Sequence, residues 1–170
     1  MSKKDLKKYL RSLEKGQLEE QILELYDKFD KVRTFYDFVF NPKEDKLIGE
    51  AKFRISKEYF PQKQRKAKAR RSVAQNQIRH FLQLGVDPIL ISDLMLFNIE
   101  IAQSFSADKH NITLAFSKSI FRSFEQAVNY IHQNELSSEF INRIHKIKDE
   151  AEVQKWSNLY QFEKITDQFN

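Results

Sequence analysis

The stretch that decides the fold is Asp87-Pro88-Ile89-Leu90-Ile91-Ser92-Asp93-Leu94-Met95-Leu96-Phe97-Asn98-Ile99-Glu100-Ile101-Ala102-Gln103-Ser104-Phe105. Asp87 can cap a helix, and Pro88 fits the first helical position because the N–H there has no partner within the helix. Apolar residues then fall on nearly every side, and such a helix is normally surrounded by other helices. The stretch therefore predicts a central helix over residues 88–105, with the rest of the chain packed around it.

The composition predicts an all-α protein. Of the 170 residues, 41% are hydrophobic and 31% are charged, which is typical of a globular protein. Only three Gly and three Pro leave few chain breaks, and this favours long helices over β-hairpins. Amphipathic spacing recurs on both sides of the central helix, so we expect about seven antiparallel helices. They would form a single domain over residues 1–170, either as a compact bundle or as a short superhelical array of helical hairpins.

Capping residues predict where some of these helices begin and end. Ser2 with Asp5 resembles a capping box, and Gly16 predicts the end of the first helix. Asp108 or Asn111 is expected to cap the long helix that follows the central one.

Several classes of function are excluded or disfavoured by residues that are missing. There is no Cys, which excludes disulfides, thiolate catalysis and Cys-ligated zinc. The four His residues show no metal-ligand spacing, and there is no Gly-rich phosphate loop or nucleophile elbow. We therefore expect a non-catalytic protein with no metal and no cofactor. Neither a signal peptide nor an apolar run of about 18 residues is visible, so we expect a cytoplasmic protein without a membrane partner.

Positive charge is concentrated in one segment of the chain. The net charge is +5, and residues 57–71 hold seven Lys or Arg and one Glu, so all other residues together sum to −1. We predict a basic loop over residues 61–70 that runs into the next helix. The candidate polyanion-binding residues are the cations of segment 62–71 and one Arg further along that helix: Lys63, Arg65, Lys66, Lys68, Arg70, Arg71 and Arg79.

Such a cluster of cations can bind a phosphate backbone by neutralising its charge and releasing counterions. RNA or DNA is therefore one candidate partner, and an acidic protein surface is another. A solvated loop with no specific role explains the same pattern. Tyr59 and Phe60, just upstream, could stack on an unpaired base, although we expect Tyr59 in the core. No known nucleic-acid module, such as a zinc finger or a GXXG loop, accompanies the segment.

Asp93 and Glu100 form a second polar feature on the otherwise apolar central helix. Seven residues separate them, which places both carboxylates about 20° apart on one helical face. With a His from another helix they could form a ligand or metal site. Buried acids are usually partnered, however, so we expect an arginine partner, which could be Arg79, Arg122 or Arg143, or a solvent-exposed edge. No Glu-x-x-His pair is present, which argues against a di-metal centre.

The aromatic residues leave a further alternative open. The chain has 15 Phe, and most lie on amphipathic stripes that we interpret as core. A groove between helices could instead expose some of them to a partner helix. The alternative function is therefore a protein–protein adaptor or a homodimer with an apolar helical groove. The oligomeric state is left open by the sequence.

Four strings also support a resemblance to a known group of proteins. They are Tyr36-Asp37-Phe38-Val39-Phe40-Asn41-Pro42-Lys43-Glu44-Asp45, Lys68-Ala69-Arg70-Arg71-Ser72, Leu84-Gly85-Val86-Asp87-Pro88 and Asn98-Ile99-Glu100-Ile101-Ala102. In these strings the chain resembles a small family of uncharacterised bacterial proteins, known only as a domain of unknown function. The resemblance implies a single-domain helical protein with no established activity, so it assigns a role to no residue.

Overall fold

A computed structural model describes residues 2–62, 65–107 and 112–167. Within these ranges the chain forms nine helices and no strand, which confirms the all-α prediction. The helices are α1 Lys3–Arg11, α2 Lys15–Lys28, α3 Asp30–Phe40, α4 Glu44–Tyr59, α5 Arg71–Leu84, α6 Pro88–Ala107, α7 Leu114–Gln133, α8 Ser137–Val153 and α9 Leu159–Thr166. The helix count is somewhat higher than the predicted seven.

The break between α2 and α3 carries no sequence signal of the usual kind. Phe29 adopts an extended backbone with φ −126° and ψ 110° and separates α2 from α3, although no Gly or Pro is present there. The first helix begins with the predicted capping box of Ser2 and Asp5, but it ends at Arg11. Gly16 lies inside α2, so its assignment as the end of the first helix was wrong. Ser12 provides the C-cap instead, and its hydroxyl donates to the carbonyl of Tyr9.

The chain divides into two compact units, Met1–Lys43 and Glu44–Asn170. The first contains α1, α2 and α3, and none of its described residues is buried. The second contains the other six helices and all of the buried core residues in the described ranges. A single domain over residues 1–170 stays a prediction.

Helix α6 is the centre of the second unit. It packs against α4, α5, α7 and α8, and ten of its 20 residues are buried. Asp87 caps it, because its Oδ1 accepts a hydrogen bond of 2.8 Å from the Ile89 N–H. Among the described helices, α6 alone is long and apolar enough to cross a membrane by length and composition, but it is the core helix of this unit. The prediction of a central helix is therefore confirmed.

The ends of the neighbouring helices follow from local chemistry. Gly85 has φ +74° and ends α5 in the left-handed conformation that an L side chain rarely adopts. Helix α7 is capped by Thr113, whose hydroxyl accepts a hydrogen bond from the Phe116 N–H. Capping by Asp108 or Asn111 was therefore the wrong assignment, and both of these residues lie outside the described ranges.

Candidate anion-binding cleft

The basic segment folds back onto the end of α4 through one residue, Glu58. Its carboxylate accepts hydrogen bonds of 2.8 and 2.7 Å from Nε and Nη2 of Arg70. Its backbone carbonyl accepts the N–H groups of Lys68 and Ala69, at 3.0 and 2.9 Å. Ala69 has φ +47°, a left-handed conformation that turns the chain toward α5. Glu58 therefore holds both the side chain and the backbone of the returning segment.

The returning segment and the end of α4 enclose a cleft of about 360 Å³. The residues that line this basic cleft are Lys57, Glu58, Pro61, Gln62, Arg65, Lys66, Lys68 and Arg70. The one acid, Glu58, is ion-paired with Arg70.

The other four cations of the cleft remain available. In the described ranges, none of Lys57, Arg65, Lys66 and Lys68 forms an ion pair, and all four are exposed. Several uncompensated cations at one concave surface can bind a phosphate or a carboxylate group.

The Glu58–Arg70 pair stays charged across the physiological range. The hydrogen bond from Arg70 lowers the pKa of Glu58 below its ordinary value and outweighs the opposing effect of partial burial. The same hydrogen bond raises the pKa of Arg70. The acid that lines the cleft is thus neutralised by its partner, and its carboxylate repels an incoming anion only weakly.

Two of the predicted polyanion-binding residues lie elsewhere. Arg71 donates from Nε to Ser123 Oγ at 2.8 Å and from Nη2 to Gln126 Oε1 at 2.9 Å, so it is anchored to α7. Burial, together with the nearby Arg122, lowers the pKa of Arg71. Arg79 lines a separate groove of about 330 Å³ between α5 and α7.

The cleft thus contains four of the seven candidates: Arg65, Lys66, Lys68 and Arg70. Lys63 lies outside the described residues.

Asp93 and Glu100 are joined by one arginine. Arg143 on α8 donates from Nε and Nη2 to the two carboxylate oxygens of Glu100, both at 2.8 Å, and from Nη1 to Asp93 at 2.7 Å. Lys52 on α4 forms an ion pair with the other oxygen of Asp93. These contacts confirm the expected arginine partner and make the four residues an ion-pair cluster that connects α4, α6 and α8.

The cluster is partly exposed, with 26–37% of each of the Asp93, Glu100 and Arg143 side chains accessible. Partial burial by itself would raise the pKa of Asp93, but hydrogen bonds from Lys52 and Arg143 outweigh it and lower the pKa. Burial would likewise lower the pKa of Arg143, but its two acid partners raise it. Over the described part of the chain, no three His, Asp or Glu side chains are grouped as metal ligands. The geometry is that of a structural connection between helices.

Comparison with known proteins reaches the whole length of the chain. Residues 1–170 match the model of a family described as "Family of unknown function (DUF6155)". The chain belongs to this family. The resemblance to a domain of unknown function is therefore confirmed, while a bacterial source stays a prediction. No curated protein and no solved structure matches the chain. For this DUF6155 protein, function must therefore be inferred from the geometry of the sites.

The two aromatic residues next to the cleft of the DUF6155 protein differ in environment. Tyr59 is 3% exposed, and burial raises its pKa to about 12, which confirms its place in the core. Phe60 is half exposed and packs edge-on against Phe105, with ring centroids 6.1 Å apart. Neither residue lines the cleft.

Two cleft residues were missed as candidates. Lys57 sits in the last turn of α4, with its ammonium 4.1 Å from the centre of the Phe53 ring, and it lines the cleft. Lys57 contributes to the +6 charge of residues 57–71, and this charge count could have identified it as a candidate. Glu58 is the single acid of the same segment, and an acid within a run of cations is a signal for an internal ion pair.

The interpretation of the aromatic stripes as core holds for part of the second unit and for none of the first, where no described residue is buried. Phe81, Phe124 and Phe162 of the second unit are at most 2% exposed. In the first unit, ten large apolar residues are between 37 and 74% exposed, and Phe40 is the most exposed of them. The first unit therefore presents apolar side chains on its surface.

Proposed function

We propose that the protein is a non-catalytic binding protein whose basic cleft binds the phosphate groups of a nucleic acid. The observation that supports this most directly is the set of four exposed cations without an ion pair, gathered around one cleft. The Glu58–Arg70 pair holds two of the lining segments together before a ligand arrives. Such preorganisation lowers the entropy cost of binding.

The shape of the cleft favours a phosphate group over an acidic protein surface. Binding in a concave space lets several cations contact the same anionic group, whereas Asp and Glu of a folded partner are spread over a broad surface. A phosphodiester also offers oxygens to both Lys and the planar guanidinium of Arg65. A non-catalytic role is supported by Asp93 and Glu100, because Arg143 and Lys52 already occupy their carboxylate oxygens.

Fluorescence anisotropy with mixed RNA and DNA oligonucleotides at low salt tests this proposal. Binding should weaken steeply as salt rises. The variant Lys66→Glu/Lys68→Glu should lose at least about tenfold in affinity, because the charge of the cleft is reversed at two exposed positions. A matched control is Lys118→Glu/Lys164→Glu, which makes the same charge change at exposed sites on α7 and α9. Equal affinity of the two variants would contradict the proposal.

The structure also suggests which residues should not be used for this test. Reversing Arg70 or Arg71 would break their hydrogen bonds to Glu58 or to α7, so lost binding could then reflect lost structure. An acidic protein partner predicts a different result: no oligonucleotide binds the wild-type protein, but acidic polypeptides do.

A second candidate function is self-association through the first unit. The supporting observation is that residues 2–43 include exposed large apolar side chains and no buried residue. Exposed apolar patches of this kind mark association surfaces in many proteins. Light scattering over a range of protein concentrations should then show a dimer that persists at high salt. The variant Phe35→Ser/Phe40→Ser should shift the population to monomer, and a monomeric wild-type protein would rule this function out.

A further inference from the structure

Helix α1 carries a second cationic surface. Its five cations repeat at positions i, i+1, i+4, i+5 and i+8, which places them on one side of the helix over a rise of about 12 Å. They are Lys3, Lys4, Lys7, Lys8 and Arg11. All five are exposed. In the described ranges none of them forms an ion pair. The single acid of the helix, Asp5, accepts hydrogen bonds from Ser2 in the capping box.

The net charge of the whole chain does not reveal this surface. Residues 3–11 have a net charge of +4 and residues 57–71 have +6. The remaining residues have a net charge of −5, which cancels the positive charge of α1 in the total. The two cationic surfaces also belong to different compact units.

The side of α1 that is covered by the protein indicates which kind of polyanion the helix can bind. Tyr9 lies on the apolar side of the helix, and its hydroxyl accepts a hydrogen bond of 2.6 Å from Gln21 Nε2 on α2. Leu6, Tyr9 and Leu10 are 37–48% exposed, so more than half of each is covered. A lipid surface would require this apolar side to be available for insertion. A nucleic acid requires only the opposite, cationic side.

We infer that α1 is a second contact for the same nucleic acid that the basic cleft binds. This inference rests on the proposed function of the cleft. When one polymer contacts two sites of one chain, binding at the second site becomes intramolecular and the affinity can rise by about 10²-fold or more. A short oligonucleotide occupies one site at a time and gains nothing. The ligand is therefore a polymeric nucleic acid, and affinity depends on its length.

The test measures affinity by anisotropy for single strands of increasing length. Wild-type protein should bind long strands at least about tenfold more tightly than short ones after correction for the number of sites per strand. Lys4→Glu/Lys8→Glu should remove this gain while leaving the affinity of the cleft for short strands unchanged. It should also reduce the salt slope for long strands by at least about 1.4, the value for the two lost lysine contacts with a single strand.

Two controls make the result specific to the cationic side of α1. Lys118→Glu/Lys164→Glu should retain the gain with length. Lys4→Gln/Lys8→Gln changes charge with less disturbance, should lose part of the gain, and should keep the wild-type far-ultraviolet circular dichroism spectrum.

Other outcomes separate the two proposals. If short strands bind at the cleft but length brings no gain, or if Lys4→Glu/Lys8→Glu retains the gain, the inference about α1 is wrong and the proposed function stands. If no strand of any length binds, both are wrong. A third outcome has three parts: the wild-type protein binds vesicles that contain phosphatidylserine, Lys4→Glu/Lys8→Glu does not, and affinity does not rise with strand length. This outcome would assign α1 to a lipid surface and overturn the inference.

Discussion

Glu58 and Arg70 form a bidentate ion pair, with hydrogen bonds of 2.7 and 2.8 Å, at the point where the basic segment returns to α4. Only 13% of the Glu58 side chain is exposed, compared with 53% of Arg70. The pair therefore lies at the edge of the second unit, with the acid on the inner side. Arg70 therefore holds the segment in place, whereas Arg65, Lys66 and Lys68 form no ion pair in the described part of the chain.

Replacement of Glu58 by Gln should loosen the returning segment without unfolding the protein. The neutral amide cannot form the charge-assisted bidentate pair, so the backbone hydrogen bonds from Lys68 and Ala69 to the Glu58 carbonyl should open more often. Amide hydrogen exchange at Lys68 and Ala69 should accelerate at least several-fold. Exposed Glu139, which forms no ion pair in the described ranges, provides the control Glu139→Gln. Unchanged exchange in Glu58→Gln would show that Arg70 does not position the segment.

Removal of Arg143 should destabilise the second unit. Arg143→Met keeps much of the aliphatic volume but leaves Asp93 and Glu100 close together without their shared cation. We expect a loss of about 1–3 kcal/mol in the free energy of unfolding, less than for a fully buried pair because solvent reaches the cluster. Urea denaturation measures it. Arg122→Met on α7, an exposed arginine without an ion pair in the described ranges, should change the free energy by less than about 0.5 kcal/mol.

The same cluster should make stability depend on pH in the acid range. The pKa of Asp93 is lower in the folded protein than its ordinary value of 3.8, so the folded state favours the carboxylate. This contribution to stability is fully present above pH 3.8, and it is lost as the pH falls through the lowered folded pKa. In the Asp93→Asn variant, the urea concentration at the midpoint of unfolding should therefore fall less steeply as the pH is lowered. If the midpoint depends on pH as steeply as in the wild-type protein, other carboxylates cause the acid sensitivity.

Replacement of Asn98 by Leu should stabilise the protein. Asn98 is 1% exposed in the middle of α6, and neither polar atom of its side chain forms a hydrogen bond with any described residue. A buried polar group without a partner costs about 1–3 kcal/mol, and Leu is similar in size. We expect thermal and urea unfolding to show a gain of about 1 kcal/mol or more. Exposed Asn129→Leu is the control, and a loss of stability in Asn98→Leu would contradict the assignment of Asn98 as unsatisfied.

Much of the fold could be predicted because the relevant signals are local. Asp87 and Pro88 predict the start of α6, and Ser2 with Asp5 predicts the start of α1, since both depend on hydrogen bonding within one turn. The break at Phe29 could not be predicted, because Phe has no intrinsic preference that ends a helix there. The exposure of Phe40 and the burial of Phe124 could not be predicted either, because burial depends on what packs against each ring.

The sequence predicted where the basic cleft lies along the chain, but not which cations line it. Charge counting located the segment, since charge is additive along the chain. It could not show that Arg70 and Arg71 are occupied by Glu58 and by Ser123, because these partners are 12 and 52 residues away. Summing charge over the rest of the chain also concealed the cations of α1.

By itself, the sequence determined the all-α class, the central helix over 88–105 and the location of the main positive charge. These depend on hydrophobic periodicity, capping and charge, which are properties of neighbouring residues. Only the tertiary structure decided that Arg143 joins Asp93 to Glu100, that Arg79 faces a separate groove, and that Lys57 joins the cleft. Ion pairs and clefts form between side chains brought together by packing, and the sequence does not specify those distances.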